Sequence, residues 1–170
     1  GAVRRIQVGS SGSGWNASIN GGLSRLAVSG EASGSVSARS IEVLQVGRDM
    51  RKFELDLVGH QRGRSLGKMR VGGMMEDSHV NAAGRIDTVT VAGLHQSSIF
   101  SGVLGETGRL LISTDDFDAL SSIGKMRIVG SGRVSVLNST VGAARVGHLH
   151  VGGTSNGGPG LDVISGRVGR

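Results

Sequence analysis

Apolar residues recur along this chain in short runs that share one pattern. In Leu66–Gly73, read LGKMRVGG, they fall at Leu66, Met69 and Val71, with Lys68 and Arg70 between them and glycines after. The arrangement returns as GKMRIVG at Gly124–Gly130, GHLHVGG at Gly147–Gly153 and DTVTVAG at Asp87–Gly93. Aligned on the β-branched residue before the glycines, the chain offers eight anchors: Val8, Val28, Val46, Val71, Val91, Ile112, Ile128 and Val151. Two positions earlier stand Ile6, Leu26, Leu44, Met69, Val89, Leu110, Met126 and Leu149. Five positions earlier stand Val3, Leu23, Ile41, Leu66, Ile86, Thr107, Ile123 and Val146, with Thr107 the one polar lapse. Alternation over the last positions is the period-two signature of a strand with one buried face. Glycines 9, 47, 72, 93, 130 and 152 then predict a bend at each strand end that few other residues could make.

A second, weaker strand follows within each repeat, often opened by serine, as in Ser35-Val36, Ser78-His79-Val80, Ser98-Ile99-Phe100 and Ser139-Thr140-Val141. Phe53-Glu54-Leu55-Asp56-Leu57 alternates without the serine. Two or three short strands per repeat predict an all-β chain: a right-handed parallel β-helix (β-solenoid) of about eight turns. A left-handed helix built on hexapeptides would hold a tighter spacing than the 16 to 25 residues between these anchors. Helical folds are excluded because no window keeps a period of 3.6. A β-sandwich would need Asn-Gly hairpin turns, which are scarce. Residues 1–170 read as a single domain, with loop insertions near 59–65 and 103–122. Gly1 already opens a repeat, as expected of a processed product or a piece of a larger protein.

Composition sharpens this picture. Thirty-one glycines would suggest low complexity, but 37% of residues are hydrophobic and they are periodic, which calls for a folded repeat. With no cysteine, disulfides and thiol chemistry are excluded. No apolar run reaches the length of a membrane-spanning helix. A formal charge of +6 favours polyanionic partners, or simply solubility.

The run VGGMMEDSHVNAAGRIDTVTVAGLHQSSIFSGV (Val71–Val103) resembles the glycine-rich repeats of large secreted surface proteins from planctomycetes and related bacteria, of the haemagglutinin-like β-helix type. The later DDFDALSSIGKMRIVG and the NGG at Asn156 resemble the way such domains close. The resemblance covers roughly residues 66–162. It implies an extracellular or cell-surface structural or adhesive module, and it transfers no catalytic residue.

The positions between the buried ones form two outward columns. One holds Arg5, Arg25, Val43, Lys68, Thr88, Arg109, Lys125 and His148; the other holds Gln7, Ala27, Gln45, Arg70, Thr90, Leu111, Arg127 and His150. Stacked in register, they predict a discontinuous basic stripe with a neighbour about every 4.8 Å. Such a stripe could follow an acidic polysaccharide, or could merely discourage edge pairing. Nucleic acid is not expected, because Trp15, Phe53, Phe100 and Phe117 are all the aromatics there are.

Other candidates are weaker. Asp115, Asp116 and Asp118 cluster in the second insertion, as the carboxylates of a polysaccharide-cleaving β-helix would, though solvation of a loop explains them as well. Residues 157–164 fit one copy of a calcium nonapeptide, with Pro159 inside it. His148 and His150 share one strand face and lack a third ligand at fixed spacing. No cofactor and no metal is expected. The reading is a non-enzymatic structural or adhesive solenoid that associates with itself or with neighbouring domains through its open ends. An acidic-polysaccharide-binding module is the first alternative; a lyase or hydrolase on the same scaffold is the second.

Overall fold

The computed structural model describes residues 3–12, 14–59, 63–103, 113–130, 136–152 and 160–169. Its strands are β1 (Val3–Val8), β2 (Asn16–Val28), β3 (Ala32–Val46), β4 (Met50–Leu57), β5 (Arg64–Val71), β6 (Met74–Glu76), β7 (His79–Ala82) and β8 (Arg85–Val91). They continue with β9 (Gly93–His95), β10 (Ser98–Ser101), β11 (Ser122–Ile128), β12 (Val136–Leu137), β13 (Ser139–Gly142), β14 (Arg145–Val151), β15 (Leu161–Ile164) and β16 (Arg167–Gly169). Every pairing between these strands is parallel. The architecture is all-β and consistent with a β-solenoid.

Three ladders run side by side. The first stacks β1, β2, β3, β5, β8, β11, β14 and β16 in that order. The second stacks the first halves of β2 and β3, then β4, β7, β10, β13 and β15. The third is short and joins the start of β4 to β6, β9 and β12. The chain visits the first, third and second ladders in turn before returning to the first. β2 and β3 are long because each passes from the second ladder into the first without a break.

Between the ladders lies the core. Leu23, Ile41, Leu66, Ile86, Ile123 and Val146 stack in one buried column, and Leu26, Leu44, Met69, Val89 and Met126 in the next. Val36, Leu55, Val80, Ile99 and Val141 face them from the second ladder; Met50, Met75, Leu94 and Val136 face them from the third. Burial of each large side chain contributes about 1.5–3 kcal/mol.

One anchor does not fit the sequence reading. Val91 pairs directly with Ile128, and the backbone carbonyl of Asp87 lies 2.7 Å from where a Cβ on Gly124 would stand. No rung carried by Ile112 can therefore stand between β8 and β11. Residues 104–112 lie outside the described residues. On their near side Gly102 (φ 75°) follows β10, and on their far side Phe117 bridges to Val103, packs against Phe100 and is buried. The opposing position, Gly142, has no side chain because Phe100 and Phe117 fill that space. Of the other expected insertion, residues 60–62 also lie outside the described residues, while Ser65 is buried and accepts the Gly84 amide at 2.8 Å.

Three of the strand-end glycines serve a different purpose from the one expected. Among the described glycines only Gly34, Gly102 and Gly130 have positive φ, and of the strand-end set Gly130 alone makes the expected bend. At Gly47, Gly72 and Gly152 a Cβ would instead collide with backbone of the preceding coil, whereas Gly9, on the first rung, has nothing within 4 Å. Close approach, not backbone hand, selects glycine there. The left-handed residues are Lys52, Asp77, Gln96 and Asn138, with φ of 44–48°, at one corner of successive coils. Each costs about 1–3 kcal/mol of backbone strain. The next residue offsets it in three of the four: Ser78, Ser97 and Ser139 are buried and chained, Ser78 N–H donating to Ser97 Oγ (3.1 Å) and Ser97 N–H to Ser139 Oγ (3.3 Å).

Two outcomes follow for equilibrium unfolding in urea. Gly72→Ala should lose about 1–3 kcal/mol by overpacking, while Gly9→Ala should stay within about 0.5 kcal/mol of the parent. Ser97→Ala should lose about 1–3 kcal/mol, because it orphans the buried Ser78 amide.

Candidate functional site

The outward side of the first ladder is built by the alternation that builds the core. In each rung the two residues between buried ones must point to solvent. Register then sets their neighbours: Arg5 on Arg25, Arg25 on Val43, Val43 on Lys68, Lys68 on Thr88, Thr88 on Lys125 and Lys125 on His148. Beside them run Gln7, Ala27, Gln45, Arg70, Thr90, Arg127 and His150. Arg5, Arg25, Lys68, Arg70, Lys125, Arg127, His148 and His150 are all exposed. Arg109 was expected between Thr88 and Lys125. Those two are direct partners, so no residue stands between them, and Arg109 itself lies outside the described residues.

Local contacts hold part of this face in place. Arg25 Nη2 donates to Gln45 Oε1 on the next rung at 2.6 Å, and Arg5 Nη2 donates to Gln7 Oε1 at 2.7 Å. Arg25, Val43, Gln45, Lys68 and Arg70 line a shallow groove of about 230 Å³. Neither outward column contains an acid among the described residues. Glu42 in β3 and Asp87 in β8, next in sequence to the first column, belong to other arginines. Arg64 lies 3.7 Å from Glu42 and 3.6 Å from Asp87, and Arg85 lies 2.7 Å from Asp87. Among the described residues no ion pair includes a lysine or arginine of the stripe. Gln45 stood in the expected outward column without a role of its own, and the arginines 64 and 85 were not singled out in the sequence. The one available signal was the return of glutamine in Gln7 and Gln45 at the same place in the repeat.

The second ladder presents a different surface. Its outward positions bring Asn16, Ser35, Glu54, His79 and Ser98 into one column, and Ser18, Ser37, Asp56 and Asn81 into another. Ser35 Oγ donates to Asn16 Oδ1 at 2.6 Å, and His79 Nδ1 lies 2.8 Å from Ser98 Oγ. The two faces thus differ in sign: the first is cationic, the second hydroxylated with the carboxylates Glu54 and Asp56.

The aspartates of the second insertion are tied to their own loop. Around a single 3-10 turn, Thr114–Asp116, the Asp116 carboxylate is buried and accepts the Ser113 amide at 3.0 Å. Asp118 Oδ1 accepts the Leu120 amide at 2.8 Å, and Asp115 is exposed. Residues 157–159 of the nonapeptide lie outside the described residues; Leu161–Ile164 form β15, paired with β13. Among the described residues no three His, Cys, Asp or Glu side chains gather as a metal site would require. The aromatic rings pair with one another, Trp15 with Phe53 and Phe100 with Phe117, and none of them stands in the outward columns of the first ladder.

Comparison with family models, with curated proteins and with solved structures finds no match.

If the aspartates only shape the loop, burial sets their importance. Asp116→Ala should destabilise by about 1–3 kcal/mol, having removed the acceptor of a buried amide, while Asp115→Ala should change stability by less than about 0.5 kcal/mol. Thermal unfolding of the two variants checks the difference.

Proposed function

We propose that this chain is a structural and adhesive solenoid module of an extracellular assembly, built as a right-handed parallel β-helix of about eight turns. Eight strands in the first ladder support the turn count. The right hand rests on the general rule for parallel crossovers, and the extracellular setting on the resemblance carried by residues 71–103.

One observation carries the structural role. The apolar residues that pack on the core yet stay partly open are Ile6, Val8, Trp15, Ala17 and Ile19 on the first rungs, and Leu149, Leu161 and Val163 on the last. Among the described residues the apolar pattern thus continues into partly open side chains at both ends of the stack, beside edge strands with unpaired backbone groups. A further coil would cover both, whether from the same polypeptide or from a second copy. Because the two ends are different surfaces, their contact is heterologous and repeats into a filament unless it closes on itself.

The test is assembly. Light scattering and electron micrographs of the concentrated chain should show rods of variable length, and Ile6→Glu with Ile19→Glu should return them to monomers. A parent chain that stays monomeric and featureless at high concentration removes the self-stacking version.

A further inference from the structure

The order of rungs in the first ladder has a periodicity of its own. From Arg25 onward the cationic rungs alternate with neutral ones. Arg25 is followed by Val43 and Gln45, these by Lys68 and Arg70, these by Thr88 and Thr90, and these by Lys125 and Arg127. Successive cationic rungs therefore stand two steps apart, about 10 Å along the stack. That is the length of an extended disaccharide. The neutral rungs between them carry Gln45, Thr88 and Thr90, side chains that hydrogen-bond hydroxyl groups. Arg5, on the first rung, extends the charge past Arg25.

We propose that this face binds a linear acidic polysaccharide carrying one anionic group per disaccharide, its chain lying along the stack and seated in the Arg25–Arg70 groove. Three features favour a ligand over a merely solvated surface. The cations have no acidic partners among the described residues, because Arg64 and Arg85 hold Glu42 and Asp87 to one side. Gln45 fixes the Arg25 guanidinium across one rung, so its ordering entropy is already spent before a ligand arrives. The backbone ladder fixes the spacing of the rungs that carry the charges. A nucleic acid is disfavoured, because the described face carries no Trp, Tyr or Phe ring on which a base could stack.

Three size-matched probes decide the matter by calorimetry or column retention at fixed ionic strength: hyaluronan oligosaccharides, with one carboxylate per disaccharide; polygalacturonate oligomers, with one per sugar; and oligo-dT. The parent chain should bind hyaluronan most tightly. The exposed pair Lys68→Ala with Arg70→Ala should weaken that binding about tenfold while leaving the unfolding transition in place. Thr88→Lys, which fills a neutral rung, should shift preference toward polygalacturonate. The inference is overturned if polygalacturonate or oligo-dT binds the parent as tightly as hyaluronan, if none of the three binds, or if the Lys68/Arg70 pair can be removed without effect. Filament formation is read separately, so either result stands whatever the fate of self-stacking.

Discussion

Parallel hydrogen bonding between successive coils is the constraint on which the rest of this molecule depends. It places each residue beside the residue that does the same job one coil later: Leu66 on Ile86, Lys68 on Thr88 and Met69 on Val89. A position in the repeat therefore meets the same demand many times. Inward positions stay apolar because each must fill space between two apolar neighbours. Where the coils come closest, at Gly47, Gly72 and Gly152, a side chain would strike the backbone of the preceding coil. Gly9 tests this logic, since with no coil before it the space stands empty.

The same stacking explains how the corners hold. Lys52, Asp77, Gln96 and Asn138 adopt a left-handed conformation that asparagine tolerates and lysine and glutamine rarely do. The amides of Asp77 and Gln96 nevertheless bond to the next coil, through the carbonyls of His95 and Leu137. A chain of buried serines runs just after them, each hydroxyl taking an amide from the coil before. Strain of this kind persists only where the surroundings over-determine it. Here the surroundings are the neighbouring coils.

Among the described residues the stack leaves two kinds of group unsatisfied: apolar rungs at the extremities and cations along the first ladder. Both are consequences of the repeat rather than a site added to it. Of the loop aspartates, Asp116 and Asp118 accept local amides and Asp115 is exposed. The separation of sign between the two outer faces arises the same way, from register bringing like positions together.

Much of this was legible in the sequence. Alternation marked the buried faces of the first ladder, because a strand with one wet side must alternate. Serine at Ser78, Ser98 and Ser139 announced the second ladder, though its buried hydroxyl chain was hidden, since burial depends on the coils above and below. A third strand per repeat was allowed for but not located. Strands β6, β9 and β12 of the third ladder are two or three residues long, too short to carry a period. Gly130 makes the expected bend, but Gly47, Gly72 and Gly152 were found for the wrong reason, because close approach is a property of two segments and a sequence displays one. The weightiest misreading was the rung at Ile112, which put Arg109 between Thr88 and Lys125. A run with the right spacing looks like a rung whether or not it joins the ladder, and only the hydrogen bonds from β8 to β11 decide which coils are neighbours. By itself, then, the sequence determined which residues face inward and which face out. The tertiary structure decided what stands next to what, and with it the alternation of charged and neutral rungs, because adjacency across coils is fixed by pairing in space and not by distance along the chain.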